Sequence, residues 1–475
     1  MFNYSFVRRY FKYCICVLLL VYLLIQLFHL NIPFGDYDEG VYIATIRSVL
    51  NGFPIYSKTY LSQFPLLILI SEPIYFISKN IFFLRLEIVS FSIITLYIFY
   101  LLTKKYTSMK YGLIFTFLLA FDAIFFNVSR TFQMDIPFTA LNLLGVYFFD
   151  MFICSTDEKK NKNVIYIFLS GVFLTTAFLM KSMPAGVLSY ILILPFFIFS
   201  YRWKSATYIA WFIFGAILPI IPILLSINIH EMYFETAGFR HGLFGLGLNS
   251  TFRLLLTHYA PVIGLSIAGS ILIFKEIFKY ITVQFMYIQF IVLLLIFYFY
   301  QDLFPHHLVF ILPFMFFICA YVIYIFIVRL KLGVFEEYIF ILAFIIPAIF
   351  FLTTRNVQLL SVINIQENTK YISVAEYIDR TTYPNEYIAS DDQIIGYLAN
   401  RNIPPDLVDT SFIRIENNGI TASEVVQQIK KYNVEEVVVA SGRFNYLPQL
   451  ISYLNSNYRI NVIDGITIYT KKHIG

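Results

Sequence analysis

The chain has 475 residues, of which 59% are hydrophobic and only 13% are charged, and its net charge is +5. A soluble domain carries about 25% charged residues, so this composition excludes an ordinary soluble protein and predicts an integral membrane protein. The four cysteines all lie within apolar runs. We therefore expect neither disulfides nor a cysteine-based metal site, and we expect no nucleic-acid partner.

Apolar runs of bilayer-spanning length recur along the first three quarters of the chain. A window of about 20 residues defines the candidate spans. They cover residues 13–30, 86–102, 111–127, 135–153, 164–180, 184–200, 207–228, 259–274, 281–299, 307–328 and 338–353. The first follows Arg8, Arg9 and Lys12, and no small-x-small cleavage site comes after it, so we expect an uncleaved first span.

The basic residues divide the connections into two alternating sets and indicate the orientation. One set contains the clusters around Arg8, Lys104, Lys160, Arg202, Lys275 and Arg329, whereas the other set has only scattered basic residues. The positive-inside rule places the first set and the N-terminus in the cytoplasm. Three larger pieces then face outward in the cell membrane: the first loop (31–85), a second loop (229–258) and the tail after Arg355.

The tail has the pattern of a small soluble domain. Its predicted elements are strands at Glu386–Ser390 and Val434–Ala440, helices at Ser423–Tyr432 and Pro448–Tyr458, and one or two closing strands within Arg459–Thr470. Strands that alternate with helices indicate an α/β domain of about 110 residues. The sequence thus predicts a polytopic α-helical membrane domain, 1–354, followed by an extracytoplasmic α/β domain, 355–475.

The first outer loop opens with Asp36, Asp38 and Glu39. The apolar residues after them are spaced as in a helix that ends at Asn51-Gly52, which predicts a short amphipathic helix on the membrane surface. A second apolar stretch, 65–77, is expected at the same interface. Asp36 and Asp38 fit two interpretations, because an aspartate here can cap the helix N-terminus or can be a reactive carboxylate at the membrane surface.

Other charged residues lie at the predicted outer borders of the spans. They are Arg85, Arg130, Asp135, Lys181, His306 and His307. A lysine at the end of a span is often only an anchor that reaches the interface, although Lys181 lies on the side that otherwise avoids lysine. The two histidines fit an interfacial polar flank equally well, and Arg85 could simply pair with Glu87.

The order of these residues resembles the glycosyltransferase C superfamily, and within it the branch of protein O-mannosyltransferases and lipid A aminoarabinose transferases. The resemblance rests on motifs that occur in the same order along the first 350 residues or so. They are Asp38-Glu39 with Tyr42, Arg85-Leu86, Ser129-Arg130 with Asp135, Lys181 with Pro184, and Pro305-His306-His307-Leu308 before Pro313. One departure is Ser62-Gln63-Phe64-Pro65, where the family commonly has a double proline with a basic residue.

The resemblance implies an enzyme that transfers one sugar, with inversion, from a polyprenyl- or dolichyl-phosphate donor. The acceptor would be a hydroxyl of a protein, a lipid or a glycan. Asp38 would be the base, with Glu39 beside it in the catalytic site. Lys181, Arg130 and Arg85 would bind the donor phosphate. Asp135, His306 and His307 would contact the sugar or hold a divalent cation.

A transporter or lipid flippase is the alternative function. Such proteins place ionisable residues near the bilayer midplane and often contain inverted repeats. Here the charged residues lie at span borders, and no internal repeat is visible in the sequence. These features favour the transferase.

Overall fold

The computed structural model describes residues 4–32, 36–155, 163–181, 193, 205–238, 249–301, 303–331, 333, 336 and 369–472. Most of the predicted sixth span and the whole of the predicted eleventh lie outside the described residues. The same is true of Pro184 and of the boundary between the two predicted domains.

The membrane domain is a bundle of apolar helices. They are α1 (Tyr4–Leu27), α2 (Tyr37–Leu50), α3 (Leu66–Ser78), α4 (Ile81–Tyr106), α5 (Met109–Ala120), α6 (Ala123–Val128), α7 (Asp135–Cys154), α8 (Val164–Met180), α9 (Ser205–Ile217), α10 (Ile220–Ser226), α11 (Ile229–Tyr233), α12 (Ser250–Leu272), α13 (Phe274–Ile277), α14 (Ile281–Phe299) and α15 (Leu312–Leu330). Within the described residues, six helical stretches are long and apolar enough to cross a membrane: α4, α7, Ala206–Ser226, α12, α14 and α15. The chain is a multi-pass membrane protein.

In two of the predicted spans, a polar side chain that caps a helix explains why the bounds in the structure differ from the prediction. The span predicted at 111–127 is divided into α5 and α6, because the Asp122 Oδ1 atom accepts the backbone N–H groups of Ile124 and Phe125, both at 3.0 Å. The span predicted from residue 259 begins at Ser250, because the side chain of Asn249 caps the helix by accepting the Phe252 N–H at 2.7 Å.

The C-terminal half of α7 is fixed by Asp150, which is fully buried. Its carboxylate accepts hydrogen bonds from Lys105 Nζ at 2.5 Å and from Thr282 Oγ1 at 2.7 Å, and also from the Tyr106 hydroxyl. Asp150 lies 15 residues after Asp135, or about 22 Å along the helix axis. The two ends of α7 therefore carry separate polar clusters.

The C-terminal domain is an α/β unit, as predicted. Its elements are α16 (Thr369–Thr381), β1 (Ile388–Ser390), α17 (Ile394–Leu398), α18 (Phe412–Glu416), α19 (Ala422–Lys431), β2 (Glu436–Val439), α20 (Pro448–Asn457), β3 (Tyr458–Ile463) and β4 (Ile466–Lys471). The four strands form one sheet in the order β1-β2-β4-β3, in which β1 and β2 are parallel and the other pairs are antiparallel. The predicted closing region is a hairpin of two strands that turns at Gly465, where φ is +82°.

The C-terminal domain packs directly on α2. A Cβ atom added at Gly40 would lie 2.5 Å from the backbone nitrogen of Ile394 in α17, so only glycine permits this approach. Arg47, about two turns further along the same face of α2, donates from Nη1 to the Gly396 carbonyl at 3.1 Å. The helix expected on the membrane surface is therefore largely buried between the bundle and the C-terminal domain, with Val41, Tyr42, Ile43 and Ile46 all in the core.

Candidate active site

The three acidic residues at the N-terminus of α2 make different contacts. Asp36 is the N-cap, because its Oδ1 atom accepts the backbone N–H of Glu39 at 3.1 Å. The same oxygen accepts a hydrogen bond from Gln133 Nε2 at 2.8 Å. Since Asp36 supplies the cap, Asp38 is not needed for it. The capping interpretation therefore applies to Asp36 and leaves the carboxylate of Asp38 available for other contacts.

Glu39 forms a buried ion pair with Arg85 of α4. Arg85 Nε and Nη2 donate to the two oxygens of Glu39 at 2.7 and 2.5 Å, and neither side chain is exposed. Glu39 Oε1 also accepts the Phe132 N–H at 2.9 Å, and Arg85 Nη1 donates to the carbonyls of Leu30 and Ile32. These contacts connect α2, α4 and the residues after α1, and they favour a structural role for the pair over the catalytic and phosphate-binding roles that the resemblance implies.

Asp135 and Lys181 form a second buried ion pair. Asp135 is the first residue of α7, and Lys181 directly follows α8. The lysine ammonium donates to both carboxylate oxygens of Asp135 at 2.9 Å, and its side chain is only 2% exposed. The ammonium also lies 5.7 Å from the ring centroid of Phe310. Lys181 therefore points into the protein and does not extend along the membrane surface as an anchor would.

His306 and His307 complete a continuous row of polar side chains. They lie on a 3-10 helix, Pro305–Phe310, and their ring centroids are 4.3 Å apart. His306 Nε2 lies 3.8 Å from Asp38 Oδ2, and His307 Nε2 lies 4.0 Å from Asp135 Oδ1. We call this row the border cluster: Asp38, His306, His307, Asp135 and Lys181. The structure thus brings together five of the eight side chains that the sequence singles out.

Arg130 lies outside the border cluster. Its Nη2 atom donates to the Phe28 carbonyl at 2.5 Å, and the side chain is buried. Burial, and next the nearby charge of Arg85, lower the pKa of Arg130 to about 10, so it remains protonated at neutral pH. The structure thus places Arg130 near Arg85 and the end of α1.

A divalent cation fits the border cluster poorly. Ligand atoms of Asp135, His306 and His307 lie within 4.8 Å of one another. However, His307 Nδ1 accepts the backbone N–H of Phe304 at 3.0 Å, so the ring proton of the neutral histidine is on Nε2, the atom that faces Asp135. A metal-bound histidine needs the opposite tautomer, with the lone pair toward the metal. Both oxygens of Asp135 are also held by Lys181.

Asp38 has the environment of a base. Its side chain is 33% exposed, so it can be reached from solvent. Partial burial raises the pKa of Asp38 to about 6, while the neighbouring His306 lowers this pKa and Asp36 raises it again. A carboxylate with a pKa near 6 is ionised at neutral pH and accepts a proton more readily than an ordinary aspartate.

Sequence reasoning missed the residues of the C-terminal domain that form hydrogen bonds with the start of α2. The Tyr37 hydroxyl donates to Asp409 Oδ1 at 3.0 Å and accepts the Thr410 N–H at 2.8 Å. Ser62 Oγ donates to the other oxygen of Asp409 at 2.8 Å. Asp409 thus connects the residue before Asp38 with the loop that leads to α3. No local pattern could have revealed it, because it lies 372 positions after Tyr37.

Comparisons with known proteins agree with this architecture. Residues 50–237 match the family model described as dolichyl-phosphate-mannose-protein mannosyltransferase. Among solved structures, the apo form of ArnT from Cupriavidus metallidurans superposes with a TM-score of 0.64 over 96% of this chain and 97% of that one, at 11% sequence identity. The chain has the glycosyltransferase C fold. The predicted fold class and family resemblance are confirmed, and the family match confirms the predicted enzyme class, a glycosyltransferase.

Two further solved structures share the fold. ArnT from Cupriavidus metallidurans bound to undecaprenyl phosphate matches with a TM-score of 0.63 and 11% identity over 97% of this chain and 98% of that one. The oligosaccharyltransferase AglB from Archaeoglobus fulgidus, in complex with an inhibitory peptide and a dolichol-phosphate, matches with a TM-score of 0.61 and 13% identity over 97% and 74% of the two chains. No curated protein matches the sequence. The family match includes Arg85, Asp135 and Lys181 but neither Asp38 nor His306.

Proposed function

We propose that this glycosyltransferase moves one sugar from a polyprenyl-phosphate donor to an acceptor hydroxyl at the border cluster, with Asp38 as the base. The observation that carries the proposal is the accessible Asp38 carboxylate, which lies 3.8 Å from His306 in the same polar row as Lys181. Two of the structures that share the fold contain a polyprenyl phosphate, undecaprenyl phosphate in one and dolichol-phosphate in the other, which supports a donor of this class.

The chemistry requires one base and one cation. The acceptor oxygen attacks the anomeric carbon of the sugar, the bond from that carbon to the phosphate oxygen breaks, and the lipid phosphate leaves with the bonding electrons. Asp38 takes the proton from the acceptor hydroxyl. A phosphate leaves without protonation, so a second catalytic acid is unnecessary, and a single displacement inverts the anomeric configuration. Positive charge near the phosphate stabilises the charge that develops there.

Lys181 is the cation that we assign to this role. Its ammonium group is partly neutralised by Asp135 at 2.9 Å, and it is held rigidly by that contact. A fixed cation at the border of the bilayer acts more strongly than one in water, because the surrounding dielectric is low. Glu39 and Arg85 would then serve the site by holding α2 in place, while Arg130 and His307 would support the residues that contact the donor.

The test uses the purified full chain in detergent. We expect undecaprenyl phosphate to raise the thermal unfolding temperature, because a ligand that binds only the folded state stabilises it. Undecaprenyl pyrophosphate and a neutral polyprenol serve as controls for the head group. Mass spectrometry of cell-surface glycans before and after gene deletion then identifies the missing sugar and its acceptor. Equal stabilisation by the neutral polyprenol, or an unchanged set of glycans, would contradict the proposal.

A further inference from the structure

A cavity of about 460 Å³ opens between the first outer loop, the π-helical turn Phe234–Gly238 and the C-terminal domain. Aromatic rings form much of its lining. They belong to Phe53, Tyr56 and Tyr60 from the loop and to Tyr432 from the end of α19. Phe53 and Tyr432 meet edge to face across the domain boundary, with ring centroids 6.1 Å apart. The volume is in the range of about 300–1,000 Å³ that small-molecule sites occupy.

The charged groups of the cavity leave it with a positive character. Two lysines in its lining, Lys58 and Lys431, are exposed, and neither forms an ion pair with any residue that the structure describes. By contrast, Asp406 is paired with Arg414 Nη2 at 2.8 Å. Glu235 accepts the Leu61 N–H at 2.8 Å, and burial raises the pKa of its carboxyl to about 8, so it is mostly neutral at pH 7.

The loop that lines the cavity is hydrogen-bonded, through one aspartate of the C-terminal domain, to the first residue of α2. Tyr60 lines the cavity, and Ser62, two residues later, donates to Asp409 Oδ2 at 2.8 Å. The other oxygen of Asp409 accepts the hydroxyl of Tyr37, the residue before Asp38, at 3.0 Å. The loop that lines the cavity is therefore linked through Asp409 to the segment that carries the proposed base.

We propose that this cavity binds an acidic saccharide as the sugar acceptor, an inference that rests on the proposed function. Tyrosine and phenylalanine rings pack against the apolar C–H face of a sugar ring, while the polar side chains of the lining bind its hydroxyl groups. Lys58 and Lys431 pair with carboxylates of the saccharide. A lipid chain would instead require an apolar lining, which Gln428, Ser57 and the two lysines do not provide.

The experiment measures saccharide binding to the purified full chain by isothermal titration calorimetry. The two probes are hyaluronan hexasaccharide, which carries carboxylates, and chitohexaose, which is neutral and equally long. The variants are Lys58→Ala/Lys431→Ala and the matched control Lys430→Ala. Lys430 neighbours Lys431 in sequence, but its ammonium lies 5.3 Å from the Tyr453 ring centroid and does not line the cavity.

We expect the wild-type protein and Lys430→Ala to bind hyaluronan hexasaccharide at least about tenfold more tightly than chitohexaose, the usual effect of a charge-assisted contact. The double variant should lose this preference. Absence of binding, equal binding of both probes, or the same loss in Lys430→Ala would overturn the inference.

Undecaprenyl phosphate binding, followed by thermal unfolding, separates the two hypotheses. The double variant should retain it, because neither lysine belongs to the border cluster. If the saccharide results contradict the inference but undecaprenyl phosphate still binds, only the proposed acceptor site in the cavity is rejected. A wild-type protein that does not bind undecaprenyl phosphate counts against the proposed function.

Discussion

At the scale of single residues, the proposed site depends on a division of roles between two aspartates. Asp36 caps the N-terminus of α2, and Asp38 is therefore available to react. Asp36 accepts the Glu39 N–H, and Asp38 faces His306. The two residues are separated by only one position and have the same side chain. They nevertheless have different partners, because Asp36 is the N-cap with extended backbone angles, whereas Asp38 lies within the first helical turn.

Replacement of Asp38 by asparagine tests the assignment of the base. Asparagine lacks useful basicity, so Asp38→Asn should reduce sugar transfer by roughly two to four orders of magnitude, the usual effect of a positioned base. Expression and thermal stability should change little. Asp36→Asn is the matched control, since asparagine caps a helix about as well as aspartate, and it should retain activity. Near-wild-type transfer by a folded Asp38→Asn protein would show that another residue is the base.

The pH dependence of transfer follows from the raised pKa of Asp38. Below about pH 6 the carboxyl holds a proton and cannot accept another, so activity should fall as the pH decreases through this value. His306 lowers the pKa of Asp38 by its charge. In His306→Gln that charge is absent, and the acidic limb of the profile should therefore move to higher pH. A limb that stays in place, or moves to lower pH, would argue that a different group controls it.

Replacement of Lys181 tests the proposed phosphate contact. Lys181→Ala should weaken undecaprenyl phosphate binding strongly, and Lys181→Arg should retain part of it because the charge remains. Lys181→Ala also leaves Asp135 buried without its cation, at a cost of about 3–5 kcal/mol in stability. The double variant Lys181→Ala/Asp135→Asn removes both charges and should recover stability without recovering binding. Full binding and transfer by either folded alanine variant would remove Lys181 from the site.

At the scale of helices, α2 is the element on which the site depends. The Glu39–Arg85 pair connects it to the helix bundle. Asp409 and the close contact at Gly40 connect it to the C-terminal domain. The C-terminal domain therefore helps to position Asp38, which lies on the first turn of this helix.

Gly40→Ala tests this coupling. The new methyl group would lie 2.5 Å from the Ile394 backbone nitrogen, a distance that forces α2 and α17 apart. We expect a loss of about 1–3 kcal/mol in stability, as for other overpacked positions, and a decrease in transfer. The control is Gly264→Ala in α12, where no atom lies within 4 Å of the added Cβ. Wild-type stability and transfer in Gly40→Ala would contradict the close packing of the two domains.

At the scale of the whole molecule, the distribution of polar groups separates two ends of the bundle. The border cluster lies at the N-terminal end of α7, together with the C-terminal domain, whereas Lys105 and Asp150 lie at the other end. The basic residues of the sequence predict that the second end faces the cytoplasm. The orientation of the termini stays a prediction.

Cysteine labelling tests the orientation in intact cells. In a variant without the four native cysteines, Gln427→Cys on the exposed face of α19 should react with an impermeant thiol reagent, and Lys160→Cys should not. Both should react after the membrane is permeabilised, which confirms that the two proteins are present. The reverse pattern would place the border cluster in the cytoplasm and exclude an extracytoplasmic transferase.

The sequence by itself determined the class of the protein and selected the side chains of the border cluster. Uncharged apolar runs cannot be placed anywhere but in a membrane or a core, so the helices follow from local hydropathy. The C-terminal strands and helices follow from their periodicity in the same way. Motif order sufficed to select Asp38, Asp135, Lys181 and the two histidines, which the fold then gathers into one row.

Only the tertiary structure decided which partner each charged residue takes. Burial makes an unpaired charge costly, so every buried ion must find a counter-ion or hydrogen bonds, and the choice depends on distances across the bundle that no local pattern contains. Glu39 thus pairs with Arg85, which lies 46 positions away in the sequence. Tyr37 meets Asp409 across 372 positions for the same reason, because the C-terminal domain folds back over α2.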